Sequence, residues 1–345
     1  MRRRLLLLCL GIGCVSNACG QDEVRVGVLG LFHAKEFVVE PSGRQSISIQ
    51  GHGSVFLLNG ERGRQTAAFR AIGDKILAEG LTSSTWRVSA RDGSATRFRL
   101  SIPGNIHRVY EGHLEMTALH GALMAIVSMD RELAIASIVA SEMPRDAPTE
   151  ALKAQAVVVR SFLASGRRHA SYEFCDTTHC QFLRSPEDVS KHARDAVSET
   201  RGMTLIYQGL PLAAMYSSRC GGRTHSLSDL GMQAGLGYPY YAVECKWCRE
   251  HPVHWHTLLN PSARTPQPSN ESERIQQARL WGWSALPGNE FEVKRDSDRL
   301  SIEGHSIGHG LGLCQFGAMG MAKAGSDFRA ILAYYYPNSE VQSLR

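Results

Sequence analysis

The stretch YEGHLEMTALHGALMAIVSMDRELAIASIVASEMP, Tyr110–Pro144, changes its period halfway along. HLEM and ALMAIV alternate or run apolar over strand lengths and flank His120–Gly121, a pair suited to a tight turn, so two strands in a hairpin are expected there. From Arg131 the apolar residues recur at helical spacing, RELAIASIVASEM, until Pro144 stops the run. A hairpin feeding directly into a helix sets the class: strands and helices in separate blocks, an α+β protein with helices packed beside an antiparallel sheet.

Working outward, the segments before this stretch are short and alternating: VRVGVLGLF, SISIQ, SVFLL, WRVSA and FRLSI, separated by PSG, NGERG and RDGS. They predict a β-rich region over residues 21–108 with a structural or wall-binding role. After the stretch, PTEALKAQAVVVRSFLASG (Pro148–Gly166) is the clearest helix, with Pro148 in its first turn, Glu150 at its positive end and Gly166 able to close it. Leu152, Ala156, Val159 and Leu163 fall on one face, as packing against a core requires. A further helix is expected from Asp188 to Glu199, then strands in MTLIYQ and LPLAAMYSS. A loop-like stretch, PSARTPQPSNESER, follows at 261–274, and near the C-terminus a glycine-rich loop gives way to a helix halted by Pro337.

At the N-terminus, MRRRLLLLCLGIGCVSNACG has the order of a secretory signal: three arginines, an uncharged apolar run, then small residues. Residues 1–20 are therefore expected to be a leader, and the mature chain to be exported to the periplasm or cell envelope without a transmembrane helix. Cys14 and Cys19 leave lipid anchoring open. The formal charge of +5 is spread along the chain, with no basic stripe, zinc-finger spacing or aromatic run of the kind that binds nucleic acid.

Of nine cysteines, six lie in the body: Cys175, Cys180, Cys220, Cys245, Cys248 and Cys314. In an oxidising compartment such a set suggests disulfides. His169, Cys175, His179 and Cys180 form H-x5-C-x3-H-C, a ligand set that zinc takes; the other interpretation is a Cys175–Cys180 disulfide with bystander histidines. Cys220 and the later CKWC could form a second zinc site, a redox pair, or a disulfide from Cys220 to one of the pair, and the disulfide ranks first. No thioredoxin-like βαβ pattern surrounds CKWC. Glu142, in ASEMP among apolar neighbours, has the setting in which a carboxyl stays protonated and can act as a general acid. GHSIGHGLGLCQFGA, from Gly304, packs glycines around His309 and Gln315, which suits close approach of a ligand backbone and hydrogen bonding to a sugar.

Taken in order, IVASEMP, EALKAQAVVVRSF, CDTTHCQ, YSSRCGGRT and GHGLGLCQFGAMGMAKAG with ILAYYYP resemble the stage II sporulation protein D family, which includes the amidase enhancers. The resemblance covers roughly Gly112 to Val341, within an expected catalytic domain of residues 109–345. It implies a peptidoglycan lytic transglycosylase that acts preferably on peptide-stripped glycan strands and leaves 1,6-anhydro-muramic ends. Glu142 matches the catalytic glutamate. His169, Cys175 and Cys180 match zinc ligands, with His179 available as a fourth. Lys153, Gln155, Arg160, Gln181, Ser217, His309 and Gln315 lie in the matched motifs and are expected to bind the glycan. The competing function is a non-catalytic enhancer that binds and stimulates a cell-wall amidase. In one departure from the family pattern, Cys314 stands where serine is common.

Overall fold

The computed structural model describes residues 23–177, 179–231, 237–259, 285–296 and 299–343. The expected leader and the loop-like stretch at 261–274 lie outside them. The fold is α+β, as expected. Twelve strands join in one sheet whose central path runs through Glu23–Val28, Ala122–Asp130, Ile106–Leu119 and Thr96–Ile102. His120 and Gly121 both have positive φ, 52° and 77°, the geometry of a two-residue hairpin turn.

The strand Ile106–Leu119 explains how the sheet curls. Its first half pairs with Thr96–Ile102, and beyond Gly112 it pairs with Thr85–Ala90 instead. The expected boundary between residues 108 and 109 therefore falls inside one continuous strand. The sheet also takes in Ser46–Gly51, Ser54–Asn59 and the edge strand Phe174–Cys175, and it is completed by Glu36–Pro41, Ala67–Ile72, Lys75–Ala78 and Leu81–Ser83. These last four were not singled out from the sequence: Lys75–Ala78 and Leu81–Ser83 are too short to show a period, and Ala and Arg interrupt the alternation of Ala67–Ile72. Trp86 anchors this half of the core, fully buried, with its indole N–H donating to the Ile76 carbonyl at 3.1 Å.

The first helix, α1 (Arg131–Glu142), follows the hairpin directly and is capped by the Asp130 carboxylate, which accepts from Leu133 N–H at 2.8 Å. The second, α2 (Thr149–Ala164), is buried on nearly every side. Leu152, Ala156, Val159 and Leu163 pack against the sheet and α1, as their spacing predicts, while Ala154, Val157 and Val158 belong to a second core. A helix that is apolar all round sits between two cores in this way. The third, α3 (Lys191–Glu199), starts three residues later than expected, because the Ser190 hydroxyl caps it and Pro186–Asp188 forms a separate 3-10 turn.

The second core holds the short helix α4 (Lys246–Glu250) and two C-terminal helices, α5 (Gln315–Lys323) and α6 (Phe328–Tyr335). A single C-terminal helix was expected. Gly325, at φ 94°, and the Asp327 cap divide it, since neither continues a helix. A three-stranded sheet of Trp255–Leu259, Phe291–Asp296 and Arg299–Gly304 forms a small third cluster. Among the described residues no helix is long and apolar enough to cross a membrane.

Candidate active site

Glu142 is the last residue of α1, where the helix runs out against Met143 and Pro144. Its carboxylate accepts from the Phe182 N–H at 3.1 Å, and the Tyr216 hydroxyl donates to it as well. Burial pushes its pKa above the ordinary carboxylate value, against the pull of those two donors and of the Arg184 charge. Tyr216 has no counterpart among the expected residues. It sits in a two-residue strand, Tyr216–Ser217, that pairs in parallel with Leu313–Cys314, a contact no local pattern announces.

A cavity of about 340 Å³ opens beside Glu142, walled by residues from six chain segments: among them Phe162, His179, Gln181, Ser217, Pro287, His309 and Gln315. Six of the expected residues, His179, Cys180, Gln181, Ser217, His309 and Gln315, thus meet Glu142 at its cavity wall, although up to 173 positions of chain separate them. Gln315, at the start of α5, donates from Nε2 to the Glu142 carbonyl at 3.1 Å and so ties the two helices across the cavity. Gln181 and Ser217 are buried, and neither the amide of Gln181 nor the hydroxyl of Ser217 has a partner among the described residues. Polar atoms stranded in this way at a cavity wall are the groups a polar ligand satisfies. Gly308, at φ 94°, lies so close to Ser217 that a side chain would press on its Cβ at 2.9 Å.

His309 is held in one tautomer. Its Nδ1 accepts from the Leu311 N–H at 3.0 Å, which leaves Nε2–H to donate to the Tyr216 backbone. Burial, with the facing His225, pushes its pKa down to about 4, so the ring is neutral over the ordinary pH range.

Behind the His179 and Cys180 wall, the four residues of the H-x5-C-x3-H-C pattern come together. The ligand atoms of His169, Cys175, His179 and Cys180 all lie within 4.8 Å of one another. His169 Nε2 is 3.2 Å from Cys180 Sγ, and His179 Nδ1 is 3.5 Å from Cys180 Sγ and 3.7 Å from Cys175 Sγ. A hydrogen bond from Cys180, with others from Thr177 and His179, holds the Cys175 thiol well below the usual thiol range, while Cys180 is pushed up in return. The loop is fastened to the sheet. Phe174–Cys175 pairs in parallel with Val26 and Gly27, and the buried Asp176 accepts from the Leu29 N–H at 3.1 Å and from Arg108 at 2.8 Å.

Three expected residues lie elsewhere. Lys153 bridges Glu150 and Glu199, each at 2.8 Å, and so joins α2 to α3. Arg160 is buried, forked onto both Glu132 oxygens at 2.9 and 2.7 Å, and lines a separate cavity. Seven residues apart on one helix, these two cations share a face, whereas Phe162 reaches the Glu142 cavity. Gln155 is fully buried, has no partner among the described residues and does not line the cavity.

The expected disulfide from Cys220 is not formed. All six body cysteines are free thiols, and Cys248 of CKWC lies 3.5 Å from Cys314, against about 2.05 Å for a disulfide. What gathers there is a set of four thiols rather than a pair.

Comparison with known proteins places this architecture. Residues 120–207 match the family model described as stage II sporulation protein. The chain is 25% identical over 267 residues to an uncharacterized protein of Brachyspira hyodysenteriae, covering 67% of this chain and 72% of that one. It is 26% identical over 265 residues to stage II sporulation protein D of Bacillus subtilis, covering 64% and 76% of the two chains. It is also 22% identical over 288 residues to the amidase enhancer of Bacillus subtilis, covering 60% of this chain and 40% of that protein. With α1, α2 and the Cys175–Cys180 loop all inside the matched segment, the chain is similar to the stage II sporulation protein D and amidase-enhancer family over the elements that position Glu142.

Proposed function

We propose that this protein is a peptidoglycan lytic transglycosylase, with Glu142 as its acid and base. The observation that carries this is the composition of the cavity: Glu142 is the only carboxylate among the described residues that line it. A glycosidase that activates water uses two carboxyl groups, about 5–9.5 Å apart. A single carboxyl suits a reaction whose nucleophile is already part of the substrate.

In such a reaction the protonated Glu142 gives its proton to the bridging oxygen between N-acetylmuramic acid and N-acetylglucosamine, and the glycosidic bond breaks toward that oxygen. The carboxylate left behind takes the proton of the muramic 6-hydroxyl as that oxygen bonds to the anomeric carbon. The products are a 1,6-anhydro end and a free 4-hydroxyl, no water is consumed, and Glu142 ends protonated as it began. Burial supports the first half by keeping the acid form populated. The Phe182 N–H and the Tyr216 hydroxyl support the second by stabilising the carboxylate once it forms. The unpartnered Gln181 amide and Ser217 hydroxyl would receive sugar hydroxyls or an N-acetyl group.

The same proposal includes zinc held by His169, Cys175, His179 and Cys180, whose two imidazoles and two thiols match its donor preference. Bound there, zinc would supply a fixed positive charge and a rigid loop next to the cavity. We also propose that the protein acts outside the cytoplasmic membrane, as the pattern of residues 1–20 suggests.

A second function has one specific support, the likeness to an amidase enhancer: the chain would bind glycan or a wall amidase and stimulate it without cutting. Mass spectrometry of products from peptide-stripped and intact peptidoglycan separates the two. Anhydro-muramic ends from the wild type but not from Glu142→Gln would establish the transglycosylase. Reducing ends would make it a hydrolase, and no cleavage of either glycan would favour the enhancer.

A further inference from the structure

The four thiols left over by the cavity carry an inference of their own, independent of glycan cleavage. Cys220, Cys245, Cys248 and Cys314 are each no more than 2% exposed, and their sulfurs all lie within 4.8 Å of one another, with Cys248 and Cys314 3.5 Å apart. Four sulfurs held about 2.3 Å from a central zinc ion in a tetrahedron stand about 3.8 Å from each other. Paired disulfides would instead draw two sulfurs to about 2.05 Å and leave no reason for all four to converge. We propose that these four cysteines form a second, closed metal centre, a structural zinc tetrathiolate.

The surroundings suit thiolates better than buried thiols acting as small hydrophobes. The Gly317 N–H, in the first turn of α5, donates to Cys314 Sγ at 3.4 Å. The Tyr335 hydroxyl lies 3.6 Å from Cys245 Sγ. Donors aimed at ligand sulfurs stabilise their charge and fix their direction. Gly317 is required for this packing, since a side chain there would collide with Tyr335 Oη and with Cys245 Sγ. Cys245 and Cys248 flank one turn at the start of α4, and the Cys245 N–H is fixed by the Gly222 carbonyl at 2.7 Å, which brings the turn against the Cys220 loop. On binding, Zn²⁺ displaces the four thiol protons to solvent and leaves a buried centre of charge −2.

No ligand position is left open, so the centre is structural. It joins three segments remote in sequence, and one of them is the cap of α5: Cys314 is the N-cap residue and Gln315, next in the chain, holds the Glu142 carbonyl. The metal would therefore brace one wall of the cavity from behind.

Metal analysis and X-ray absorption on two double variants test this. His169→Ala/Cys175→Ser empties the cluster beside the cavity, and should still hold about one zinc per chain with four sulfur neighbours at about 2.3 Å. Cys245→Ser/Cys248→Ser should lose that zinc. If the second variant fails to fold, the first still decides the matter, together with alkylation of the denatured, unreduced wild type: all four thiols modified agrees with the proposal. No zinc in the first variant, iron in its place, mixed nitrogen and sulfur neighbours, or four cysteines protected as disulfides would each overturn it. None of these readouts depends on whether glycan is cut.

Discussion

Replacing Arg160 by methionine tests whether this residue belongs to the substrate site or to the framework. In the structure its guanidinium makes four hydrogen bonds: two to Glu132, one to the Met203 carbonyl at 3.0 Å and one to the Val197 carbonyl at 3.4 Å. The side chain is 4% exposed and that of Glu132 is 18% exposed. Deleting one partner of a buried ion pair costs about 3–5 kcal/mol, because the other charge stays behind uncompensated. Glu132 keeps some access to water, so the lower end applies, about 3 kcal/mol. At about 2–4 °C per kcal/mol, Arg160→Met should lower Tm by about 6–12 °C, read by circular dichroism or calorimetry. Adding Glu132→Leu should recover most of the loss, since two apolar side chains then replace the pair. Cleavage per folded molecule well below Tm should be unchanged. A wild-type Tm with weakened glycan binding would refute the framework role and return Arg160 to the substrate site.

Further expectations concern titration and the loop. Glu142→Gln should abolish cleavage and yet raise Tm at neutral pH. The folded pKa of Glu142 lies above its unfolded value, so the native state holds its proton more tightly, and wild-type stability falls as pH rises through that window. The gain should vanish in acid, where both forms are protonated, and a variant less stable than wild type at pH 7 would contradict it. The cleavage rate should fall as pH rises through the same raised pKa, because the general acid is lost; a rate that kept rising there would exclude Glu142 as the acid. His309 titrates in the opposite sense. With its pKa pushed down to about 4, the unfolded chain takes up a proton first, so stability should decline from about pH 6.5 to about pH 4. His309→Gln should flatten that slope, and an unaltered slope would show that the ring is not buried neutral. Asp176→Ala should cost about 3 kcal/mol by leaving Arg108 unpaired, and should speed amide exchange across the Cys175–Cys180 loop. Unchanged exchange would mean that strand pairing alone fastens it.

Where the sequence is periodic, it shows the structure. The hairpin at His120–Gly121, the onset of α1 and the sheet-facing side of α2 all follow from local spacing, because each is fixed by residues within a few positions of one another. Glu142 and the cysteine loop are recognisable through their motifs. Tyr216 is not, since its role depends on a two-residue strand whose partner lies almost a hundred positions away. The cations of α2 mislead for a related reason. Motif membership places Lys153 and Arg160 near the chemistry, but their helical phase turns them toward Glu150, Glu199 and Glu132, and sequence gives no sign of which face meets the cavity. The cysteines mislead through their count and the expected export: an even number of them in a chain read as exported suggests disulfides, and only the convergence of Cys220, Cys245, Cys248 and Cys314 on one point argues for another chemistry.

The way the cavity's walls are built bears on why two sulfur-rich clusters should flank it. Its walls are short loops and helix ends, drawn from segments that belong to two separate cores. On one side the loop of Cys175 and Cys180 is held at the edge of the large sheet by two residues of parallel pairing, the Glu173 bonds to Arg25 and the Asp176 contacts. On the other, Gln315 projects from the end of α5 and meets Glu142 through a single hydrogen bond. An acid that must hand over a proton and take another back has to keep its distance to both sugar oxygens within a fraction of an ångström. Hydrogen bonds worth about 1 kcal/mol each do not hold loops that firmly. A metal at each cluster would, and loss of the metal behind Cys314 should then slow cleavage through Gln315, with Glu142 itself unchanged and its pH profile unmoved.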